Sequence, residues 1–228
     1  MKVGTDGVLL GCMARHPRAE SVARCLDVGA GTGLVSIMLA QRFPGARVTG
    51  VEIDSEAAGQ AAENCAASPF AERLNIVSAD VNTFEPADGA RFDLIASNPP
   101  YFVQSLQCPD DRRNMARHAV GLSFADLTAA CERHLAPGGR VAIIIPYDAA
   151  DALTQAASDA GLALTSLTTI FSNRRKPPRR AVCHFMRATE APSEGLTIEK
   201  NELTLLNLDG SNTTEYQELA HDFYLDRK

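Results

Sequence analysis

The sequence predicts an α/β domain with a mostly parallel sheet, helices on both faces and an antiparallel closing hairpin. Three observations indicate this class. Short apolar runs alternate with helical stretches between residues 23 and 185, a glycine-rich turn follows the first run, and two β-rich runs end the pattern. With 228 residues, 45% of them hydrophobic, the chain is long enough for one sizeable domain with an appendage.

The predicted elements follow one another in the order that such a fold requires. Five strands are predicted at 24–28, 47–53, 74–78, 92–97 and 140–145, and the hairpin at 162–171 and 181–187. Helices are predicted at 34–42, 55–67, 124–134, 149–160 and 212–224, the last with Thr214 and Gln217 in capping-box spacing. The turn 137–139 is expected to end the third of these helices. Residues 1–11 and 103–122 do not fit regular structure.

Charge and composition limit the domain organisation and the partners. Residues 1–188 are neutral and are predicted to form the main domain, with residues 1–22 on its ligand side. Residues 189–228 carry the whole net charge of −6 and are expected to pack on that domain as an acidic extension. The six cysteines are scattered, and neither a membrane span nor a secretory signal is visible. We therefore expect a cytoplasmic protein with reduced thiols and no metal.

The turn after the first predicted strand, residues 27–33 (Asp-Val-Gly-Ala-Gly-Thr-Gly), indicates a nucleoside site. Leu34 stands where a pyrophosphate-binding turn has its third glycine, so the pattern suits a nucleoside without pyrophosphate. Glu52 ends the second strand and suits ribose hydroxyls, whereas Asp80 follows the third and suits an adenine amine. Each feature also has a simpler explanation: residues 29–33 form an ordinary strand-to-helix turn, Glu52 is a solvated strand end, and Asp80 is an ordinary turn residue. Asp54 is expected to cap the next helix.

Asn98-Pro99-Pro100-Tyr101 follows the fourth predicted strand, where ligands bind in open α/β sheets. Residues that precede proline are extended, and prolines have no N–H, so this segment is stiff and presents acceptors. The Asn98 side chain and the Pro99 carbonyl suit a planar NH2 group, and Tyr101 offers an aromatic face. The alternative is a proline-terminated strand with a satisfied asparagine.

These motifs resemble those of class I S-adenosylmethionine-dependent methyltransferases, specifically the amino-group methyltransferases that carry Asn-Pro-Pro-Tyr. Residues 2–11, the run 68–73 and the ending with Glu215-Tyr216 and Phe223-Tyr224-Leu225 are similar to the bacterial tRNA1(Val) (adenine-N6)-methyltransferases. The resemblance covers almost the whole chain. It implies a Rossmann-like class I methyltransferase fold with seven strands, and N6-methylation of adenosine 37 beside the anticodon of tRNA1(Val). Members of that family begin with a further N-terminal stretch, so the chain is expected to start inside the family's sequence.

The resemblance also implies a role for each candidate residue. S-adenosylmethionine is expected to be bound by Thr5, Asp6, Asp27, Gly29, Gly31, Gly33, Glu52 and Asp80. The target amine is expected at Asn98, Pro99 and Tyr101. The anticodon loop is expected to contact Phe102, Arg112, Arg113, Arg117, Arg174, Arg175, Lys176, Arg179 and Arg180, although a solvated hairpin tip would explain residues 174–180 equally.

Other functions stay open. The same tetrapeptide serves amino-group methyltransferases that act on ribosomal RNA or on protein glutamine. A non-catalytic, cofactor-binding RNA chaperone is the alternative of another class. We expect tRNA as the partner and no association with a membrane. The expected oligomeric state is a monomer.

Overall fold

The computed structural model describes residues 4–100 and 122–224, which form an eight-stranded sheet flanked by helices. The strands are β1 (Arg24–Val28), β2 (Arg47–Glu52), β3 (Leu74–Ser78), β4 (Phe92–Ser97), β5 (Leu135–Pro146), β6 (Leu162–Phe171), β7 (Pro178–Arg187) and β8 (Glu199–Thr204). The helices are α1 (Thr5–Met13), α2 (Leu34–Arg42), α3 (Ser55–Ala66), α4 (Phe124–His134), α5 (Ala150–Asp159) and α6 (Thr214–Ala220).

The strand order is β3-β2-β1-β4-β5-β7-β6-β8, and β7 runs antiparallel to both of its neighbours. All other strands run in one direction. Their carboxyl ends therefore share one edge of the sheet, which we call the carboxyl edge. This order and these directions confirm the predicted fold class.

Both faces of the central strands are covered. Cys25 and Leu94 belong to one apolar cluster, together with residues of α1, α2 and α6. The next residue of each strand, Leu26 and Ile95, belongs to a second cluster with residues of α4 and α5. Because successive side chains of a strand point to opposite faces, this alternation fixes one helical layer on each side of the sheet.

The prediction of irregular structure for residues 1–11 is wrong in the described part, because α1 occupies most of it. Gly7 and Gly11 lower the intrinsic helix preference of this segment. They also let α1 lie directly on α2, since a Cβ on Gly11 would stand 2.6 Å from the Met38 sulfur. Packing against α2 therefore outweighs the low helix propensity. The predicted irregular segment 103–122 lies almost wholly outside the described residues.

The predicted number of seven strands is also wrong. The additional strand, β8, lies at the edge of the sheet and pairs in parallel with β6, from Ser166 opposite Glu199 to Phe171 opposite Thr204. Its sequence, Glu-Lys-Asn-Glu-Leu-Thr, lacks the apolar alternation of a half-buried strand, so backbone pairing is what fixes it. β8 thus joins part of the acidic extension to the sheet, whereas the division at residue 188 stays a prediction.

Several element boundaries differ from the predicted ones. β5 begins at Leu135 rather than at residue 140, and its pairing with β4 is irregular around the 137–139 turn. β7 begins at Pro178, at the end of the basic segment. The predicted helix 212–224 is shorter, since α6 ends at Ala220 and is followed by a 3-10 turn. Its cap is Thr213, whose hydroxyl accepts the Tyr216 N–H at 3.2 Å, so the predicted Thr214 capping box is wrong.

Candidate active site at the carboxyl edge

The glycine-rich turn after β1 is held to β2 by backbone hydrogen bonds. The N–H groups of Gly29 and Ala30 both donate to the Val51 carbonyl, at 2.9 and 3.1 Å. Gly29, Gly31 and Gly33 all have positive φ, a region that other residues rarely adopt. A Cβ on Gly29 would meet no atom within 4 Å, so the turn leaves open space in which a ligand can approach the backbone.

Glu52 joins this turn to the start of α3. Its Oε2 accepts the Gly31 N–H at 2.8 Å, and its Oε1 accepts the Asp54 N–H at 3.0 Å. Asp54 in turn caps α3, accepting the N–H groups of Glu56 and Ala57, as the sequence predicts. A carboxylate offers about four lone-pair positions, so Glu52 retains acceptor capacity toward a ligand's hydroxyl groups.

Asp27 lies beneath the turn rather than on its surface. Its side chain is 1% exposed, and its Oδ2 accepts the Ser36 hydroxyl at 2.7 Å. Burial raises the pKa of Asp27 to about 6, an effect that the Ser36 hydrogen bond partly opposes. The structure thus places Asp27 where it ties β1 to α2 and orients the turn, while its predicted contact with a ligand stays a prediction.

Asp80 is half-buried and makes a turn after β3. Its Oδ1 accepts the Asn82 N–H at 2.9 Å, and its carbonyl accepts the Phe84 N–H at 2.8 Å. The structure therefore contains the turn that the sequence left as the alternative. A carboxylate has two oxygens, so the Asp80 side chain can both make this turn and accept a hydrogen bond from an adenine amine.

Ile53 is an edge residue that sequence reasoning missed. It directly follows Glu52 and is 68% exposed, which is high for a large apolar side chain. The missed signal was an isoleucine placed immediately after an acidic strand end. Next to Glu52 in the chain, Ile53 gives the edge an apolar surface of the kind that suits a flat ring.

The Asn-Pro-Pro segment begins where β4 ends. Ser97, fully buried, donates its hydroxyl to the Val28 carbonyl at 2.9 Å and so ties β4 to the end of β1. Asn98 is half-buried and Pro99 is buried. Strands β1 and β4 are neighbours in register, with Val28 opposite Ser97, so Asn98 and the glycine-rich turn leave the sheet side by side. The predicted site residues Tyr101, Phe102, Arg112, Arg113 and Arg117 lie outside the described residues.

The start of α1 reaches the same edge. Gly7 packs against Leu34 at the beginning of α2, with a hypothetical Cβ 3.1 Å from the leucine side chain. Asp6 is paired with Arg180, whose Nε donates to Asp6 Oδ2 at 2.9 Å. Two residues that the sequence assigned to different ligands therefore contact each other, and they link α1 to the start of β7.

The basic turn, residues 173–180, also lies at the carboxyl edge. Arg180 pairs with Pro146, the last residue of β5, and the turn joins β6 to β7. The side chains of Arg174, Arg175, Lys176 and Arg179 are exposed. Their positive charge therefore stands on the same side of the molecule as Asn98 and Glu52.

Within the described ranges, no group of three or more His, Cys, Asp or Glu side chains is arranged to hold a metal ion. Nor does any helix in residues 4–100 or 122–224 combine the length and apolar character needed to cross a membrane.

Comparisons with known sequences find relatives that match almost the whole chain. Residues 4–151 match the family model of the methyltransferase small domain. A tRNA1(Val) (adenine(37)-N6)-methyltransferase of Aeromonas hydrophila is 40% identical over 226 residues, which cover 99% of this chain and 91% of that protein. A relative of the same name from Porphyromonas gingivalis is 42% identical, over 98% of this chain and 89% of the relative.

Solved structures show the same fold. A predicted O-methyltransferase from Agrobacterium tumefaciens superposes with a TM-score of 0.71 at 21% identity, covering 96% of both chains. The glycopeptide N-methyltransferase MtfA complexed with S-adenosylmethionine gives a TM-score of 0.57 at 14% identity, over 82% of this chain and 89% of that chain.

Proposed function

Because the chain belongs to the family of tRNA1(Val) (adenine(37)-N6)-methyltransferases, we propose that it methylates N6 of adenosine 37 in tRNA1(Val). The observation that carries the proposal is the side-by-side exit of the glycine-rich turn and Asn98 from neighbouring strands. This arrangement would bring a nucleoside cofactor and an amine acceptor site together at one edge. A tRNA-modifying enzyme of this kind is expected in the cytoplasm, and its monomeric state stays a prediction.

The described residues fit S-adenosylmethionine, which supplies an electrophilic methyl group on a sulfonium ion. The open space over Gly29 admits a ligand against the backbone. Glu52 would accept ribose hydroxyls while it holds Gly31 and Asp54, and Ile53 would pack on the adenine ring. Asp80 would accept from the adenine amine with the oxygen that does not hold Asn82. Thr5 and Asp6, at the start of α1, would face the methionine end.

Asn98 and Pro99 would prepare the target amine for attack. The lone pair of an adenine amine is conjugated with the ring, so the nitrogen is a poor nucleophile. Hydrogen bonds from both of its N–H groups, to the Asn98 side-chain oxygen and the Pro99 carbonyl, favour a tetrahedral nitrogen with a directed lone pair. The N–C bond then forms as the C–S bond breaks, and the methylated nitrogen releases one proton to water. Tyr101 would stack on the base.

The basic turn would hold the RNA backbone. Its exposed cations, Arg174, Arg175, Lys176 and Arg179, stand at the edge that carries Asn98. Guanidinium groups bind phosphate with two parallel hydrogen bonds, which suits arginine at such a surface. An anticodon loop fits this arrangement because its bases are unpaired, so one of them leaves the stack at a lower cost than in a duplex.

The proposal is tested with purified protein, labelled S-adenosylmethionine and total tRNA from a strain that lacks the endogenous enzyme. We expect label in valine tRNA as N6-methyladenosine, identified by mass, and labelling that is about 10²- to 10³-fold slower with Asn98→Ala. Label in ribosomal RNA or in a protein glutamine would contradict the tRNA assignment. Cofactor binding without transfer to any acceptor would favour the non-catalytic RNA chaperone.

A further inference from the structure

The carboxyl edge continues beyond the basic turn into residues 205–213, which we call the C-terminal turn. It follows β8, and its first two N–H groups extend the pairing with β6. Leu205 donates to the Phe171 carbonyl at 2.9 Å, and Leu206 donates to the Ser172 carbonyl at 3.0 Å. The C-terminal turn therefore lies directly beside the basic turn, which begins at residue 173.

Internal hydrogen bonds hold the C-terminal turn in one shape. The N–H of Thr213 donates to the Leu205 carbonyl at 3.0 Å, and the N–H of Asn207 donates to the Ser211 carbonyl at 2.8 Å. The Ser211 hydroxyl also donates to Asp209 at 2.6 Å. A surface that is ordered before binding loses little conformational freedom when a ligand arrives.

A cavity of about 380 Å³ opens between the two turns. Arg174 lines it from the basic turn, Leu206 and Leu208 from the C-terminal turn, and Glu215 from α6. Leu208 is 60% exposed. The volume falls in the range of about 300–1,000 Å³ that is typical of small-molecule sites. The lining is mostly polar, because Thr204, Asn207, Thr213 and Thr214 also contribute to it, and it combines these groups with two leucines, a cation and a carboxylate.

We propose that this cavity binds the base of a nucleotide that lies close in sequence to the methylated adenosine; the proposal rests on the RNA methyltransferase function above. Three to four strand spacings separate β4, which carries Asn98, from the ends of β6 and β8 beside the cavity, or about 14–19 Å at ~4.8 Å per spacing. A single RNA strand running along the edge would therefore pass Asn98 first and this cavity next.

Charge decides which part of the nucleotide enters the cavity. Glu215 and the nearby Asp209 repel phosphate, so the phosphate belongs on the exposed cations of the basic turn. The base belongs in the cavity, where Leu206 and Leu208 contact its face. The Glu215 carboxylate would accept a hydrogen bond from an exocyclic amine, which favours adenine, cytosine or guanine over uracil.

The test measures kinetics with a synthetic anticodon stem-loop of valine tRNA. Leu208→Ser is expected to raise KM for this RNA about tenfold, the effect of losing one leucine contact, with kcat and the Kd of S-adenosylmethionine within twofold of wild type. Ile198→Ser is the matched control, because Ile198 is also exposed (42%) but precedes β8 at the opposite edge of the sheet. It is expected to leave all three values unchanged.

Equal KM values for Leu208→Ser and Ile198→Ser would overturn the proposal. Glu215→Gln distinguishes a base from a phosphate in the cavity. The substitution is expected to raise KM if a base amine binds Glu215, and a lower KM would show that a phosphate binds there and would contradict the proposal. If wild-type protein methylates no RNA, the proposed function fails instead. The stem-loop's binding to the same variants, measured by fluorescence anisotropy, then decides the cavity's role independently.

Discussion

The Glu52 carboxylate gives the sharpest prediction about the cofactor site. Two of its roughly four lone-pair positions receive the N–H groups of Gly31 and Asp54, which leaves two for ribose hydroxyls. In Glu52→Gln one oxygen becomes an NH2 group, and in either orientation it faces one of those two N–H donors. The substitution therefore removes a hydrogen bond to the chain and a charged acceptor for the ligand.

The expected loss follows from these contacts. A hydrogen bond to a charged group contributes roughly 1.5–3 kcal/mol, so the Kd of S-adenosylmethionine should rise about 10- to 150-fold. Isothermal titration calorimetry measures this value directly. Glu56→Gln is the control, because Glu56 is an exposed carboxylate in the first turn of α3. The Kd of S-adenosylmethionine for this variant should equal that for wild type. A Kd for Glu52→Gln within twofold of wild type would refute the assignment of Glu52 to the cofactor.

Three further predictions concern stability and catalysis. Gly33→Ala should destabilise the protein by about 1–2 kcal/mol, because Gly33 has a φ of 82° and a Cβ there would crowd the Ala61 carbonyl at 3.3 Å. Gly59→Ala, in α3 with no atom within 4 Å of the new Cβ, should instead stabilise it by about 0.5–1 kcal/mol, and urea denaturation of both variants checks the pair. Asn98→Ala should lower kcat about 10²- to 10³-fold with the cofactor Kd unchanged. Single-turnover kinetics at saturating RNA measure this effect, and a decrease of less than about fivefold in the rate would contradict the role of Asn98 in the transfer step. Burial lowers the pKa of His184 to about 4 from an ordinary 6.5, so between these pH values the unfolded chain binds a proton that the folded chain does not, and stability falls as the pH falls. His184→Gln should remove up to about 3 kcal/mol of that pH dependence, and equal slopes for both proteins from pH 7 to pH 4.5 would contradict this origin.

The central part of the fold was predictable because its strands are strongly apolar and its turns are rich in glycine and proline. β1, β3, β4, β6 and α2 have the predicted boundaries. α1 and β8 were missed for opposite reasons. The two glycines of α1 weaken helix propensity locally but allow its contact with α2, and the polar β8 is fixed by backbone pairing at a sheet edge. Both depend on contacts that are distant in sequence.

The candidate site was predictable in position more than in detail. Because Glu52 and Asn98 follow parallel strands, their common edge follows from the sequence pattern. The burial of Asp27 and its bond to Ser36 depend on how α2 lies on β1, which the sequence pattern does not define. The Asp6–Arg180 ion pair joins residues 174 positions apart, and no local signal indicates such a pair. Ile53 was missed because isolated exposed apolar residues are common on protein surfaces.

The most direct test of the central claim compares two transcripts of valine tRNA that differ only at position 37. With adenosine 37 we expect N6-methyladenosine, resolved by nucleoside mass spectrometry after reaction with S-adenosylmethionine. With guanosine 37 we expect no methylated nucleoside. Methylation of the guanosine transcript, or of another nucleoside in the adenosine transcript, would contradict the account that Asn98 and Pro99 present the amine of adenosine 37 to the cofactor.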